Sequence, residues 1–282
     1  MEIKTIGIAG AGMMGHGIAL AAALAGYEII MYDQTDAILA VAQNAMENQT
    51  AKLIDKKVTT AEEGMSAMLR IQAVTAVDNL SQADLIIESI IESLEAKTRL
   101  FEVLDKVCKD ETLFASNTSS FSITTLAAAT QRPAQFVGMH FFLPPVIMKL
   151  VEVTRGYYTS NETVTQIKAV VQQLGKNSVE VKKDTPGFIA NRIYTPLFLE
   201  AFKVYEEGVA SKEDIDMTMK LAYGLPIGPF ALADLIGLDI LKAGLDYFHN
   251  ELGPRWKPPL VMKQLVQAGR LGKKVGKGWY DY

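Results

Sequence analysis

The chain has 282 residues, 49% of them apolar, with 28 Lys and Arg against 32 Asp and Glu, a formal net charge of −4. That length accommodates two domains or one large one, and the apolar fraction fills a sizeable core, which excludes a disordered chain. The small negative charge, without any run of five like charges, argues against nucleic acid or an anionic membrane as partner and for a small molecule. The one cysteine, Cys108, excludes an internal disulfide framework and a multi-cysteine metal site, and fits a reducing, cytoplasmic compartment. The histidines are His16, His140 and His249, no two of them spaced as a metal-binding pair, so no metal is expected.

Residues 5–27 carry no formal charge, but glycines at 7, 10, 12, 15, 17 and 26 and the flanking Glu2 and Lys4 argue against a signal sequence or membrane span. The stretch opens instead with an apolar strand at 3–9. Gly10-Ala11-Gly12-Met13-Met14-Gly15 follows it and leads into an Ala- and Leu-rich helix over 13–25. In that setting Gly10 makes a tight turn, Gly12 leaves room for a pyrophosphate, and Gly15 lets helix and strand approach. The helix start offers unpaired N–H groups and partial positive charge to the anion, so Gly10, Gly12, Met13, Met14 and Gly15 are candidate cofactor contacts. A second strand at 28–32 ends at Asp33, where an acid is expected about 20 residues into such a unit. Its carboxylate accepts hydrogen bonds from ribose hydroxyls and repels a 2′-phosphate, favouring NAD over NADP.

Helices are expected over 35–55, 61–69 and 94–107, and further strands over 85–89, 113–115, 136–139 and 150–153. Alternating strands and helices predict an α/β fold with a Rossmann-type doubly wound sheet. The charged, Pro- and Gly-broken stretch 182–187 marks a boundary, placing a dinucleotide-binding domain at 1–183 and a helical domain at 184–282. Within the latter, 189–207 and 212–222 have helical spacing, Ser211 with Asp214 three residues on suits an N-cap, and the all-α C-terminal domain suggests pairing with a second copy.

Rossmann-type sheets serve many chemistries, so activity must be sought in other residues. Ser116-Asn117-Thr118-Ser119-Ser120 follows the strand at 113–115, at a carboxyl end where ligands sit, although helix capping explains the same residues. His140 closes one apolar run and Glu152 lies in the next, the two symmetric about residue 146 in a connection broken by Pro144 and Pro145. If the runs pair antiparallel around that connection, His140 and Glu152 face each other. The carboxylate then orients the imidazole and raises its basicity, leaving the other ring nitrogen to exchange a proton with a substrate hydroxyl.

With Gly10 to Gly15 and Ser116 to Ser120, the segments Gly138-Met139-His140-Phe141-Phe142, Met148-Lys149-Leu150-Val151-Glu152-Val153, Asp184-Thr185-Pro186-Gly187-Phe188 with Asn191-Arg192, and Gly272-Lys273-Lys274 through Gly278-Trp279-Tyr280 occur in order. So arranged, the sequence resembles the short-chain L-3-hydroxyacyl-CoA dehydrogenase family, including 3-hydroxybutyryl-CoA dehydrogenases. The resemblance implies NAD-linked, reversible oxidation of a 3-hydroxyacyl-CoA to a 3-ketoacyl-CoA, with His140 as general base and acid and Glu152 orienting it. It implies that Ser119 and Asn191 hydrogen-bond the reacting oxygen, and that Glu92, Lys97, Asn117, Ser119 and Lys274 contact NAD. Lys52 and Lys56 match the region holding the CoA phosphates, and their i, i+4 spacing puts both on one helix face. The family suggests a homodimer. Leu143 stands where the family's usual run has Asn: either that amide's contacts come from elsewhere or the pocket is drier. Two other readings are a dehydrogenase of a free 3-hydroxy acid and a catalytically weak, crystallin-like NAD-binding protein.

Overall fold

A computed structural model describes residues 2–282. The chain separates into two compact units, Met1–Thr185 and Pro186–Tyr282.

The first unit opens with β1 (Thr5–Ala9), α1 (Met13–Leu24), β2 (Glu28–Tyr32), α2 (Asp36–Asp55), α3 (Ala61–Leu69), β3 (Ile71–Val74) and β4 (Leu85–Glu88). It continues with α4 (Leu94–Val107), β5 (Leu113–Ser116), α5 (Ile123–Ala127), β6 (Phe136–Phe141), β7 (Leu150–Arg155), α6 (Asn161–Gln173) and β8 (Asn177–Val181). The eight strands form one sheet in the order β3-β2-β1-β4-β5-β6-β7-β8, with every neighbouring pair parallel except β6 and β7. Its first six positions follow the doubly wound dinucleotide-binding order, which reverses direction between β1 and β4. Strands buried on both faces must be apolar throughout, and Ile6, Ile8, Leu85, Ile86, Ile87, Phe114 and Val137 are fully buried or nearly so.

Helix starts follow from side-chain caps. Thr35, Thr60, Ser93, Ser122 and Ser160 each accept a backbone N–H in the first turn of α2 to α6, satisfying one donor that the helix leaves orphaned. In contrast, α1 begins at Gly12 with no side-chain cap and no acidic residue in its first turn. Its leading N–H groups are therefore directed to whatever lies beyond the glycine turn.

Several elements differ from the sequence expectation. β6 and β7 each run two residues further, because their antiparallel ladder continues through Phe141 paired with Val151 and through Val137 paired with Arg155; His140 thus lies inside β6. β3 and β8 went unexpected: they are the two edge strands, four and five residues long, with exposed positions breaking the apolar run. α6 also went unexpected, although Ser160 as cap and buried Val164, Ile167, Val170 and Val171 supply the helical signal.

The second unit holds α7 (Ala190–Glu206), α8 (Lys212–Tyr223), α9 (Pro229–Ile236), α10 (Leu238–Leu252) and α11 (Leu260–Gln267), ending in a tail with isolated bridges Gly272–Lys277 and Lys277–Asp281. Ser211 caps α8 by accepting the Asp214 N–H. Phe202, Phe230 and Trp279 pack ring against ring at centroid separations of 4.6–5.2 Å. The fully buried Asp234 of α9 anchors the tail, accepting the Trp279 and Tyr280 amides at 2.8 Å each and the Tyr282 hydroxyl at 3.2 Å. Gly278 packs so closely on the Asp234 carboxylate that no side chain fits there.

Replacing Asp234 by Ala leaves two amides without their acceptor, at about 1–3 kcal/mol for each unsatisfied group. Urea unfolding should therefore show a loss of at least about 2 kcal/mol. A loss below about 1 kcal/mol would mean the tail is held by ring packing alone.

Candidate active site

The glycine turn after β1 is shaped by close approaches. Gly10 has φ +105°, donates its amide to Tyr32 O at 2.8 Å, and lies against the Ser89–Ile90 peptide, where a Cβ would collide. A Cβ on Gly15 would strike the Gly10 carbonyl, so helix and strand meet only with glycine there. Gly12 is the opposite case, exposed with nothing within 4 Å of an added Cβ. Met13 and Met14 supply the first helical amides of α1, with the Met13 side chain exposed.

Asp33, just beyond β2, accepts the Ala11 amide on Oδ2 and its neighbour Gln34's amide on Oδ1, both at 2.7 Å. The acid thereby locks the glycine turn. Its half-exposed carboxylate keeps further lone pairs for hydroxyl donors. The uncapped helix start, the vacant space over Gly12 and the acid at the end of β2 are together the fittings a dinucleotide requires.

At the same carboxyl edge, four strands further across, His140 on β6 pairs in register with Glu152 on β7. His140 Nδ1 lies 2.7 Å from Glu152 Oε2, and both residues are buried. An ionised carboxylate only accepts, so opposite ionised Glu152 it is Nδ1 that carries the hydrogen, and Nε2 is the ring nitrogen turned away from the carboxylate. The Phe142 ring lies 4.5 Å from the imidazole, centroid to centroid. The connection between the paired strands is clamped from beneath by Lys176, whose Nζ donates to the Pro145 and Met148 carbonyls at 2.5 and 2.7 Å. The side chains of Leu143, Ile147 and Met148 on that connection are exposed.

The run after β5 is held from several directions. Asn117 accepts the Phe141 amide on Oδ1 at 2.9 Å and donates Nδ2 to Ser89 Oγ at 3.2 Å, bridging the ends of β4 and β6. Ser119 donates its amide to Glu92 Oε1 at 3.3 Å, and its hydroxyl lies 3.2 Å from that of Ser120. Lys97 is buried and ion-paired with Glu88 at 2.5 Å and Glu92 at 3.2 Å. Glu88, the last residue of β4, went unnoticed in the sequence although it is fully buried at the point where strand order reverses. Burial pushes its carboxyl above the usual range, against the pull of the Lys97 ammonium. A charged residue closing the apolar run Leu85-Ile86-Ile87 was the available signal.

The structure therefore brings together His140, Glu152, Asn117, Ser119, Glu92 and Lys97 at the ends of β4 to β6. Lys52 lies in the last turn of α2 and Lys56 at its C-cap, both exposed, beside the β2–β3 half of the sheet. Asn191 and Lys274 belong to the second unit: Asn191 is half-buried in the first turn of α7, and Lys274 donates to both carboxylate oxygens of Asp239 at 2.7 Å. Among the described residues no group of three His, Cys, Asp or Glu side chains could hold a metal, and no helix is long and apolar enough to cross a membrane.

Both units have counterparts among known proteins. Residues 5–185 match the NAD-binding domain of 3-hydroxyacyl-CoA dehydrogenases, and residues 187–282 match their C-terminal domain. A probable 3-hydroxybutyryl-CoA dehydrogenase of Bacillus subtilis is 44% identical over 100% of this chain and 98% of its own. The mitochondrial hydroxyacyl-coenzyme A dehydrogenase of Homo sapiens is 41% identical over 99% of this chain and 91% of its own. The crystal structure of (S)-3-hydroxybutyryl-CoA dehydrogenase from Ralstonia eutropha superposes with a TM-score of 0.95 at 43% identity, covering 100% of this chain and 99% of that one.

Burial, with Lys149 adding repulsion, lowers the Lys176 ammonium to about 8 from 10.5. The folded chain thus gives up this proton at a lower pH than the unfolded chain, so stability relative to a Lys176→Met variant should rise between pH 8 and 10.5. Unfolding free energies measured across that window check the sign; a flat or falling difference would contradict the burial argument.

Proposed function

The chain belongs to the 3-hydroxyacyl-CoA dehydrogenase family, and from that premise we propose that it interconverts short-chain L-3-hydroxyacyl-CoA and 3-ketoacyl-CoA, such as 3-hydroxybutyryl-CoA and acetoacetyl-CoA, using the His140–Glu152 pair for proton transfer. It is an NAD-linked oxidoreductase. The observation that supports the proton-transfer role is the buried 2.7 Å His140–Glu152 contact, at the same strand edge as the glycine turn.

In the oxidative direction His140 Nε2 takes the proton of the 3-hydroxyl. Glu152 holds Nδ1–H, fixing the tautomer and stabilising the imidazolium that forms. The Gly10–Gly15 turn, the start of α1 and Asp33 would hold NAD, which when bound would supply the acceptor for the hydride from the carbon that bears the hydroxyl. In reduction the imidazolium returns its proton to the ketone oxygen. Ser119 and Asn191 donate hydrogen bonds to that oxygen as charge develops on it, lowering the barrier electrostatically. Glu92, Lys97, Asn117 and Lys274 complete the cofactor's surroundings. Lys52 and Lys56 meet the CoA phosphates from one face of α2.

The reading extends to a homodimer working in the cytoplasm. Exposed Met217, Leu221 and Tyr223 on α8 support self-association, since apolar side chains grouped on one short helix are costly to leave in water. Sedimentation at micromolar concentration tests it.

Following NADH absorbance with acetoacetyl-CoA, with free acetoacetate and with no substrate should show oxidation with the thioester alone. Equal oxidation with the free acid, or none with either, would contradict the assignment. His140→Ala should lower turnover by about 10²–10⁴-fold while NADH affinity stays within about twofold, because its role is proton exchange and not cofactor contact.

A further inference from the structure

Donors from two other elements, α4 and β5, and from the chain just after β4 converge on the carboxylate of Glu88. Lys97 Nζ and the Ile90 amide donate to Oε1 at 2.5 and 2.8 Å, and Ser116 Oγ donates to Oε2 at 2.6 Å. Each of these leads onward to the site. Lys97 also pairs with Glu92, whose Oε1 accepts the Thr118 hydroxyl at 2.6 Å and the Ser119 amide at 3.3 Å. Ser116 Oγ accepts the Thr118 amide at 3.2 Å. Ile90 belongs to the peptide that closes against Gly10.

A buried ion pair is weak evidence for stability, because desolvating both charges offsets their attraction and apolar residues of equal volume often serve as well. Apolar residues cannot supply directional bonds to α4, β5 and the chain after β4 at once. The position also matters: β4 lies between β1 and β5, so Glu88 sits beneath the junction of the glycine turn and the Ser116–Ser120 run.

We propose that Glu88 is a positioning residue for the dehydrogenase reaction: through Lys97 and Glu92 on one side and Ser116 on the other, it holds the Thr118–Ser119 turn in place relative to the His140–Glu152 pair. This rests on the functional reading above. The turn is tied to the pair through Asn117, which accepts the amide of Phe141, the residue after His140. Glu88 itself acts only through these intermediaries.

The test is a double-mutant cycle of Glu88→Gln and Glu92→Gln, read as kcat with acetoacetyl-CoA and NADH, KM for the thioester, and melting temperature. Glu88→Gln keeps the side chain's size but removes the charge, and should lower kcat by about tenfold or more with KM within about twofold. The double variant should be about as slow as the slower single one, because both substitutions interrupt one chain of contacts; independent effects would multiply. A folded Glu88→Gln enzyme with undiminished kcat, or effects that multiply, would overturn the inference even if the melting temperature fell. Should Glu88→Gln fail to fold, Ser116→Ala removes the hydroxyl that donates to Glu88 Oε2, cutting the second arm while leaving the Glu88 and Lys97 charges in place. It should lower kcat several-fold at constant KM, and an unchanged kcat would overturn the inference. An inactive parent would instead contradict the functional reading, and this inference with it.

Discussion

Antiparallel pairing of β6 with β7 breaks an otherwise parallel sheet, and the facing of His140 and Glu152 depends on that break. A parallel neighbour would need a crossover, and residues close in sequence could not then face each other across a ladder. The tight return through residues 142–149 instead sets His140 directly opposite Glu152, and their side chains leave the sheet on the same face. The short connection is held by Lys176, the residue before β8, so the approach to the edge strand also steadies the strands that carry His140 and Glu152. Burial of both partners strengthens the contact, because little water competes with a 2.7 Å hydrogen bond there.

The rest of the carboxyl edge divides into an open part and a filled part. Over Gly12 and the start of α1 the protein leaves space and unpaired donors, which suits an anionic cofactor. Between β4 and β5 it does the reverse, filling the edge with Lys97, Glu88, Ser116 and Thr118, each bonded to the next. Asp33 and Asn117 join the two parts to their surroundings, one by holding the Ala11 amide and the other by spanning Ser89 and Phe141. Rigid polar contacts of this kind place donors without needing reorganisation when charge develops. The second unit is ordered by a comparable device, Asp234 gripping the terminal tail within an aromatic cluster.

Much of this was legible in the sequence where the physics is local. The glycine turn announced itself by spacing after an apolar strand, and the structure gives Gly10, Gly12 and Gly15 three different steric situations matching the expectation. The facing of His140 and Glu152 followed from counting outward from the proline-broken connection. Glu88 was not legible because its side-chain partners lie on other elements, Lys97 on α4 and Ser116 on β5, and a lone acid ending an apolar run also reads as a strand simply reaching solvent. Lys97 shows the same limit: family resemblance points it toward the cofactor, while its bonds in the structure run to Glu88 and Glu92. The edge strands β3 and β8 escaped notice because a half-exposed edge needs no continuous apolar run.

The central claim is that Glu152 acts on the reaction by orienting His140, and the kcat of a Glu152→Gln variant in thioester reduction tests it most directly. The side chain keeps its size but loses its charge, so kcat should fall by about 10²-fold or more while NADH affinity and thioester KM stay within about twofold. A variant that folds, binds NADH normally and turns over within about twofold of the parent would contradict the account.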